Sequence, residues 1–172
     1  MNKVDLQYIK ENYKWRFVWT DIFNRYFILI TPIFFIFLSL MISYFSIKNN
    51  TDNSYLLVTV PIFLFGTALF YFTVNRIESE RKFKTIPIQP NCNLDLKNYF
   101  NQLGWTINLS NEKLITGSTK ISLFSWGETI TIIINEDFLL INSRPMGRQP
   151  FTLNRDKVNY QKLYNLLTNP QK

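Results

Sequence analysis

The chain has 172 residues, of which 47% are apolar and 17% aromatic, and it carries a formal net charge of +7. It contains no histidine and one cysteine, Cys92, which excludes histidine as a general base, a Cys–His pair, a disulfide framework and a zinc cluster. The mean hydropathy of −0.05 indicates that the apolar residues are gathered into particular segments, because a wholly membrane-embedded chain would score much higher.

Residues 1–25 form a basic segment that precedes the first long apolar run. Within residues 14–27, five side chains fall on one side at helical spacing: Trp15, Val18, Trp19, Ile22 and Tyr26. Aromatic rings favour the headgroup region of a bilayer, and basic residues suit an anionic leaflet. Two interpretations follow, an interfacial helix lying along the membrane or the straight beginning of the first membrane span.

Residues 26–47 and 54–74 are two apolar runs without a charged residue. A helix needs about 20 predominantly apolar residues to cross the hydrocarbon layer. Residues 27–46 include 13 Leu, Ile or Phe. At roughly −0.3 to −0.6 kcal/mol each, these residues favour insertion by about −4 to −8 kcal/mol. The polar link 48–53 is short, so we predict an antiparallel transmembrane hairpin.

Basic residues are distributed unequally about this hairpin. Residues 1–25 carry five of them, residues 75–90 carry four, and the link carries only Lys48. Cytoplasmic segments of membrane proteins are enriched in Lys and Arg. We therefore expect both termini in the cytoplasm and the link 48–53 outside, in a multi-pass protein of the cell inner membrane.

Small polar residues recur on one face of each span. They are Ser39, Ser43 and Ser46 in the first span, and Thr59, Gly66 and Thr73 in the second. Small residues let helix backbones approach closely in lipid. The faces fit intramolecular packing of the hairpin, or a pore lining or contact between copies. Neither span holds an ionisable residue, which argues against an ion-coupled transporter.

Beyond the spans we predict a charged helix extension and linker over 75–92 and a cytoplasmic α+β domain over 93–172. Asn93 is the expected N-cap and Gly104 the C-terminal stop of a first helix. Four strands follow, and a last helix carries an apolar stripe of Tyr160, Leu163, Tyr164 and Leu167. The order α-β-β-β-β-α predicts an antiparallel sheet with both helices on one face. So small a domain, with sheet edges to cover, favours a homo-oligomer.

The segment NSRPMGRQPFTLNRD, residues 142–156, concentrates three arginines between the last strand and the last helix. Asn154 is a plausible N-cap, and a helix start with arginine forks suits an anion such as phosphate. The candidate ligand-binding residues are Arg144, Arg148, Gln149, Asn154 and Arg155. Contact with anionic lipid or a partner, and a plain solvated loop, remain alternatives. Asp156 opposes the phosphate interpretation, because its carboxylate can itself occupy the helix start.

No pair of acids has a spacing that forces general acid–base chemistry. The acids of the C-terminal domain fall mostly at turns or helix starts, where exposure or capping explains them: Asp95, Glu112, Glu128, Glu136, Asp137 and Asp156. Trp126 and Gly127 break the strand pattern, as at a tight turn or bulge with the ring packed over it. We therefore expect no enzyme, no metal and no cofactor.

This layout resembles small bacterial two-span membrane proteins with a compact C-terminal cytosolic domain. Some are antiviral effectors that sense nucleotide second messengers, including CRISPR-associated ones that sense cyclic oligoadenylate. The segment SWGETITI with the later NRDKVN also resembles a pattern in uncharacterised bacterial two-span proteins. The resemblance implies a ligand-responsive membrane sensor or effector and transfers no residue role. The alternative is an accessory, scaffold or immunity protein that docks a partner protein.

From these observations we expect three kinds of partner and do not expect a fourth. The bilayer and further copies of the chain are the expected structural partners. An anionic small molecule or nucleotide is the expected ligand. Double-stranded nucleic acid is not expected.

Overall fold

The computed structural model describes residues 3–19, 23, 25–49, 53–88, 95–121, 126–146 and 154–168. The chain forms two compact units. One joins Met1–Phe17 to Glu80–Lys172, and the other is Val18–Ser79. The first is called the sheet unit below and the second the hairpin unit.

The hairpin unit contains two helices that are long and apolar enough to cross a membrane. A 3-10 turn, Tyr26–Leu29, leads into helix α2, Ile30–Lys48, and a second turn, Asn53–Tyr55, leads into helix α3, Leu56–Arg81. The apolar windows of these segments have mean hydropathies of 2.3 and 2.0. The helices therefore match the predicted spans, and α3 continues past the apolar run as expected for a charged extension.

The small residues of the two spans pack inside the hairpin. Ser39, Thr59 and Thr73 are only 2–3% exposed. A Cβ on Gly66 would lie 3.0 Å from Ile36 Cγ1 and 3.1 Å from the Ile36 amide nitrogen, because the helices touch there. Of the two interpretations, intramolecular packing therefore holds for these positions.

The sheet unit is built on one antiparallel sheet of five strands in the order β1-β5-β4-β3-β2. The strands are β1 Lys84–Pro87, β2 Thr106–Asn111, β3 Leu114–Ser118, β4 Glu128–Ile134 and β5 Phe138–Pro145. The predicted order of helix, four strands and helix is confirmed for residues 96–168. The prediction missed β1, which it assigned to the linker 75–92, because a four-residue strand ending in proline reads as a linker.

One face of the sheet is covered by helix α4, Leu96–Gln102, and helix α5, Arg155–Thr168. Both helices insert apolar side chains into a core shared with alternate strand residues, which include Phe100, Ile130, Ile132, Leu139, Ile141 and Leu163. The prediction that both helices share one face is confirmed. The N-cap of α4 is Asp95, whose side chain accepts from the Asn98 amide at 3.1 Å; the expected cap, Asn93, lies outside the described residues.

The other face of the sheet is covered by helix α1, Lys3–Asn12. Ile9 is 0% exposed and packs in a second core with Phe83, Leu114, Ile133 and Leu140. Residues 1–25 are therefore not a separate segment, since Met1–Phe17 completes the sheet unit. The predicted helix over 14–27 is also wrong at its beginning, because residues 14–18 are not helical.

Strand β2 carries a bulge that changes which side chains face the core. Ile107 pairs with Gly117 and Leu109 pairs with Thr116, so Asn108 is an extra residue. One inserted residue moves the following side chains to the opposite face. Leu109, which was expected to alternate inward with Trp105 and Ile107, is consequently 48% exposed.

Candidate functional site

The structure describes three of the five predicted ligand-binding residues, Arg144, Asn154 and Arg155. Arg148 and Gln149 lie outside the described residues, so their part in the site stays a prediction. Arg144 lies near the end of β5, and Arg155 begins α5. Asn154 immediately precedes the helix, and its carbonyl accepts from the Val158 amide at 3.1 Å. The predicted helix start is thus confirmed.

The acid in the first turn of α5 pairs with a lysine of β1. Asp156 Oδ2 lies 3.7 Å from Lys84 Nζ of β1, and that ammonium also lies 5.1 Å from the Tyr160 ring centroid. An anion approaching the helix start meets the Asp156 carboxylate as well as the cations. Asp156 therefore has a cation partner on β1, and its effect on a phosphate at the helix start stays a prediction.

Tyr160 links the same helix to β1. Its hydroxyl donates to the Thr85 carbonyl at 3.1 Å, and its ring stacks on Tyr164 with centroids 6.0 Å apart. Burial, and secondarily the charge that Tyr164 acquires on ionisation, raise the pKa of Tyr160 above its usual 10.0. The phenol is therefore held in its neutral, donating form.

Arg144 lies on the opposite face of the sheet from α5. Successive strand residues alternate between faces. Ser143 faces α5, where its hydroxyl accepts from Asn159 at 3.0 Å, and Arg144 faces the other way. Its guanidinium carbon lies 4.3 Å from the centroid of the Trp15 ring. Arg144 and Arg155 are therefore not brought together on one face.

Trp15 is held on three sides. Its indole N–H donates to Asn142 Oδ1 at 2.9 Å, its ring lies 5.3 Å from the Phe83 ring, and Arg144 lies over it. A cation over a tryptophan contributes about 0.5–2 kcal/mol, and a hydrogen bond about 1 kcal/mol. Asn142 and Arg144, which lie on the same face of β5, thus hold Trp15 of the N-terminal segment.

The residues before the hairpin pair with those after it. The Trp15 amide donates to the Arg81 carbonyl at 2.9 Å, and the Phe83 amide donates to the Tyr13 carbonyl at 2.7 Å. The Arg81 guanidinium returns a bond to the Trp15 carbonyl at 2.9 Å. We call this arrangement of residues 13–17 with residues 81–83 the clasp. It lies wholly within the sheet unit.

Asn142 fastens the clasp to the sheet. Besides accepting from Trp15, its side-chain amide donates to the Glu80 carbonyl at 2.9 Å and to the Lys82 carbonyl at 2.8 Å. The side chain is 3% exposed, so each lost bond would leave a buried polar group unsatisfied. One amide therefore connects β5 to both segments of the clasp.

The clasp separates aromatic from basic side chains. Lys14 and Lys82 face each other across an antiparallel bridge. Trp15 points toward Asn142, so the alternation of an extended chain turns Lys14 and Arg16 to the opposite side. Lys14 is half-buried, while Arg16 and Lys82 are exposed. The outward side of the clasp is therefore basic.

A buried polar chain connects the sheet to α5. Glu128 is 0% exposed, its carboxylate accepts from the Ser143 hydroxyl at 2.7 Å, and Ser143 accepts from Asn159. The expectation that exposure or capping explains this acid is wrong for Glu128. The serine hydroxyl is engaged as donor and acceptor, so this chain of hydrogen bonds positions α5 on the sheet.

Two large apolar side chains of the sheet unit are exposed near Gly127. Ile121 is 74% exposed and Trp126 is 61% exposed. Gly127 has φ +89°, a conformation that favours glycine, at the point where the strand pattern breaks. The expected turn or bulge with the Trp126 ring packed over it stays a prediction. We call Ile121 and Trp126 the apolar rim.

Sequence reasoning missed the clasp and the buried polar chain. Their members are single residues far apart in the chain, and Trp15 and Asn142 are separated by 127 positions. The available signal was the pair of apolar runs ITIII and FLLI, which lack alternation and so indicate burial on both faces of the sheet. Among the described residues, no group of three or more Cys, Asp or Glu could hold a metal ion.

Comparisons with known proteins give no relative. No protein-family model matches the chain, and no curated protein and no solved structure matches it either.

Proposed function

We propose that this protein is a membrane-anchored sensor or effector. Its two apolar helices cross a bacterial inner membrane, both termini lie in the cytoplasm, and the sheet unit binds an anionic ligand through the arginine segment. The observation that carries the proposal is the contact of Arg144 with Trp15, because Arg144 belongs both to the predicted ligand segment and to the sheet residues that hold the clasp.

Competition for one guanidinium couples the two roles. An anion bound by the segment around Arg148 attracts Arg144 more strongly than a ring face does, because charge-assisted bonds are the stronger kind. Moving Arg144 would leave Trp15 held by Asn142 and Phe83 alone. The clasp joins the segments on either side of the hairpin, so weakening it alters the constraint on both helices. The proposal requires no catalysis and no cofactor.

The test uses the full chain, because the predicted domain 93–172 alone would lack β1 and α1. The purified protein in detergent is titrated with a panel of linear and cyclic nucleotides, including cyclic oligoadenylates, and binding is measured by calorimetry. The matched variants are Arg148→Glu and Lys97→Glu, which make the same charge reversal, the second at an exposed position of α4. We expect a nucleotide to bind the wild type and Lys97→Glu, and Arg148→Glu to lose at least tenfold in affinity.

A functional readout follows on the identified nucleotide. Proteoliposomes containing the full chain are loaded with a voltage-sensitive dye, and the ligand is added to the side that carries the termini. A change in membrane potential that is absent in Arg148→Glu supports an effector. Binding that is equal in both charge-reversal variants would contradict the proposal.

The apolar rim favours a second candidate, an accessory protein that docks a partner protein. An exposed tryptophan is the residue type most enriched at binding hot spots. The variant Ile121→Gln/Trp126→Gln should then lose site-specific cross-links to one protein in native membranes, while nucleotide binding is unchanged. Cross-links that persist in this variant would exclude the rim as a docking surface.

A further inference from the structure

The outward side of the clasp places two like charges directly opposite each other. Lys14 and Lys82 form an antiparallel bridge, and the backbone bonds run between the flanking residues, from Trp15 to Arg81 and from Phe83 to Tyr13. This pattern defines the non-hydrogen-bonded pair, in which the two side chains are closer than in the alternating type. The two ammonium groups therefore share one small area.

Such a pair destabilises an antiparallel arrangement unless an anion lies between its members. In the part of the chain that the structure describes, neither lysine has a carboxylate within ion-pair distance. Arg16 lies two residues from Lys14 and on the same side of the extended segment. A phosphate among the three cations would convert their mutual repulsion into attraction.

We propose that Lys14, Lys82 and Arg16 bind the phosphate of an anionic lipid headgroup. This inference rests on the proposed insertion of the hairpin into a bilayer. Lysine supplies compact charges on flexible stems, and arginine supplies a planar fork that matches phosphate geometry. The site shares no residue with the predicted nucleotide segment, residues 142–156.

The position of the clasp along the chain selects a lipid as the source of the phosphate. Lys82 follows Val74, the last residue of the uncharged run, by eight positions, and it comes directly after Arg81, the last residue of α3. Basic residues this close in the chain to a membrane span suit the phosphates of the headgroup layer, toward which a lysine stem extends its charge. Trp19 and Phe23, 76% and 72% exposed, follow Arg16 and are side chains suited to the same layer.

The binding test is native mass spectrometry of the full chain in detergent, titrated with phosphatidylglycerol or phosphatidylcholine. The variant Lys14→Gln/Lys82→Gln is compared with Lys97→Gln/Lys162→Gln, which removes the same charge from exposed positions of α4 and α5. We expect the clasp variant to bind phosphatidylglycerol about thirty-fold more weakly than wild type. The control variant should change less than threefold. Equal losses in both variants, or no loss in either, would overturn the proposal.

A charge reversal separates lipid binding from clasp stability. Lys14→Glu replaces the opposed like charges with an attractive pair, so the clasp should be as stable as wild type or more so in phosphatidylcholine bilayers. Adding phosphatidylglycerol should raise the melting temperature of wild type and leave that of Lys14→Glu unchanged. An equal rise in both proteins would contradict a phosphate site at this pair.

Two further experiments identify the source of the phosphate and test membrane insertion separately from lipid binding. If inorganic phosphate displaces phosphatidylglycerol, the ligand is free phosphate and the lipid assignment is overturned. Flotation with phosphatidylcholine vesicles checks insertion independently, because the uncharged spans are intact in every variant. Wild type that fails to float refutes the proposed membrane placement, whereas wild type that floats without selective retention of phosphatidylglycerol refutes only the site.

Discussion

The guanidinium of Arg144 lies over the indole of Trp15 at 4.3 Å, and this contact joins the last strand of the sheet to a segment 129 positions earlier in the chain. Arg144 was singled out in the sequence as a ligand for an anion. In the structure its position is set by an aromatic ring on the opposite face from the helix that begins at Arg155. The residue therefore has a structural partner within the chain itself.

The energy of this contact can be isolated with a double-mutant cycle. We expect Arg144→Met, which keeps the apolar stem and removes the charge, to lower the local unfolding free energy by about 1–2 kcal/mol. The same change in a Trp15→Leu background should cost much less. Hydrogen exchange of the β4 and β5 amides, read by mass spectrometry, measures both. Additive losses would show that the ring and the guanidinium do not interact.

Replacing Asn142 by aspartate, which has nearly the same shape, should destabilise the sheet unit. Asn142→Asp keeps the acceptor for Trp15 and turns two donated bonds into contacts between a carboxylate and the carbonyls of Glu80 and Lys82. We expect a loss of about 2–4 kcal/mol in the stability of the sheet unit, because a buried charge would face two acceptors. The control is Asn108→Asp at the exposed bulge of β2, which should change stability by less than about 0.5 kcal/mol in the same denaturation experiment.

Gly66 should be intolerant of a larger side chain for reasons internal to one chain. Gly66→Leu places atoms against Ile36 and Phe35 of the facing helix, where only about 3 Å is free for a Cβ. We expect destabilisation of the hairpin by at least about 1–3 kcal/mol, the usual cost of overpacking. Ala68→Leu, at an exposed position of the same helix, should be nearly neutral.

Multi-angle light scattering in detergent gives the accompanying assembly state. We predict a homo-oligomer for wild type, and the same mass for Gly66→Leu, because the Gly66 face is occupied within the hairpin. A selective loss of oligomers in Gly66→Leu would place this face between copies instead.

The raised pKa of Tyr160 predicts the direction in which stability changes with pH. A folded-state pKa above 10.0 means that the folded chain retains this proton at pH values where the unfolded chain has lost it. Its contribution is fully present below pH 10.0 and is lost as the pH rises through the folded value. Above pH 10.0, the stability of Tyr160→Phe should therefore fall less steeply than that of wild type. The stability of Tyr164→Phe should fall with an intermediate slope. Parallel curves for wild type and Tyr160→Phe would refute this.

Topology can be tested directly in cells. A reporter fused after Lys172 should read cytoplasmic, and one inserted at Asn50 should read external, because basic residues concentrate on the terminal sides of the hairpin. A periplasmic reading after Lys172 would remove cytoplasmic nucleotides from the possible ligands. Exchanging Lys48 for Gln should leave the reading unchanged, since the asymmetry does not depend on it.

The sequence predicted best where one local pattern decides the structure. The hairpin followed from two uncharged runs, and strands β2 to β5 followed from β-branched runs bounded by turns. Prediction from the sequence failed where contacts with residues distant along the chain decide the structure. Lys84–Pro87 becomes a strand because β5 offers it an edge, and Lys3–Asn12 is covered because Ile9 finds Ile133 and Leu140. The clasp could not be predicted, since no periodicity relates Trp15 to Arg81 or Asn142.

The covering of the sheet by α1 also sets an order for biogenesis. Helix α1 is translated before the strands, yet Ile9 packs against Ile133 and Leu140, which are made more than 120 residues later. A ten-residue helix is marginal alone in water, so α1 remains unsupported while the two apolar helices leave the ribosome. Closure of this face therefore has to wait until β4 and β5 have formed. Proteolytic protection of α1 would then appear only after the sheet has formed.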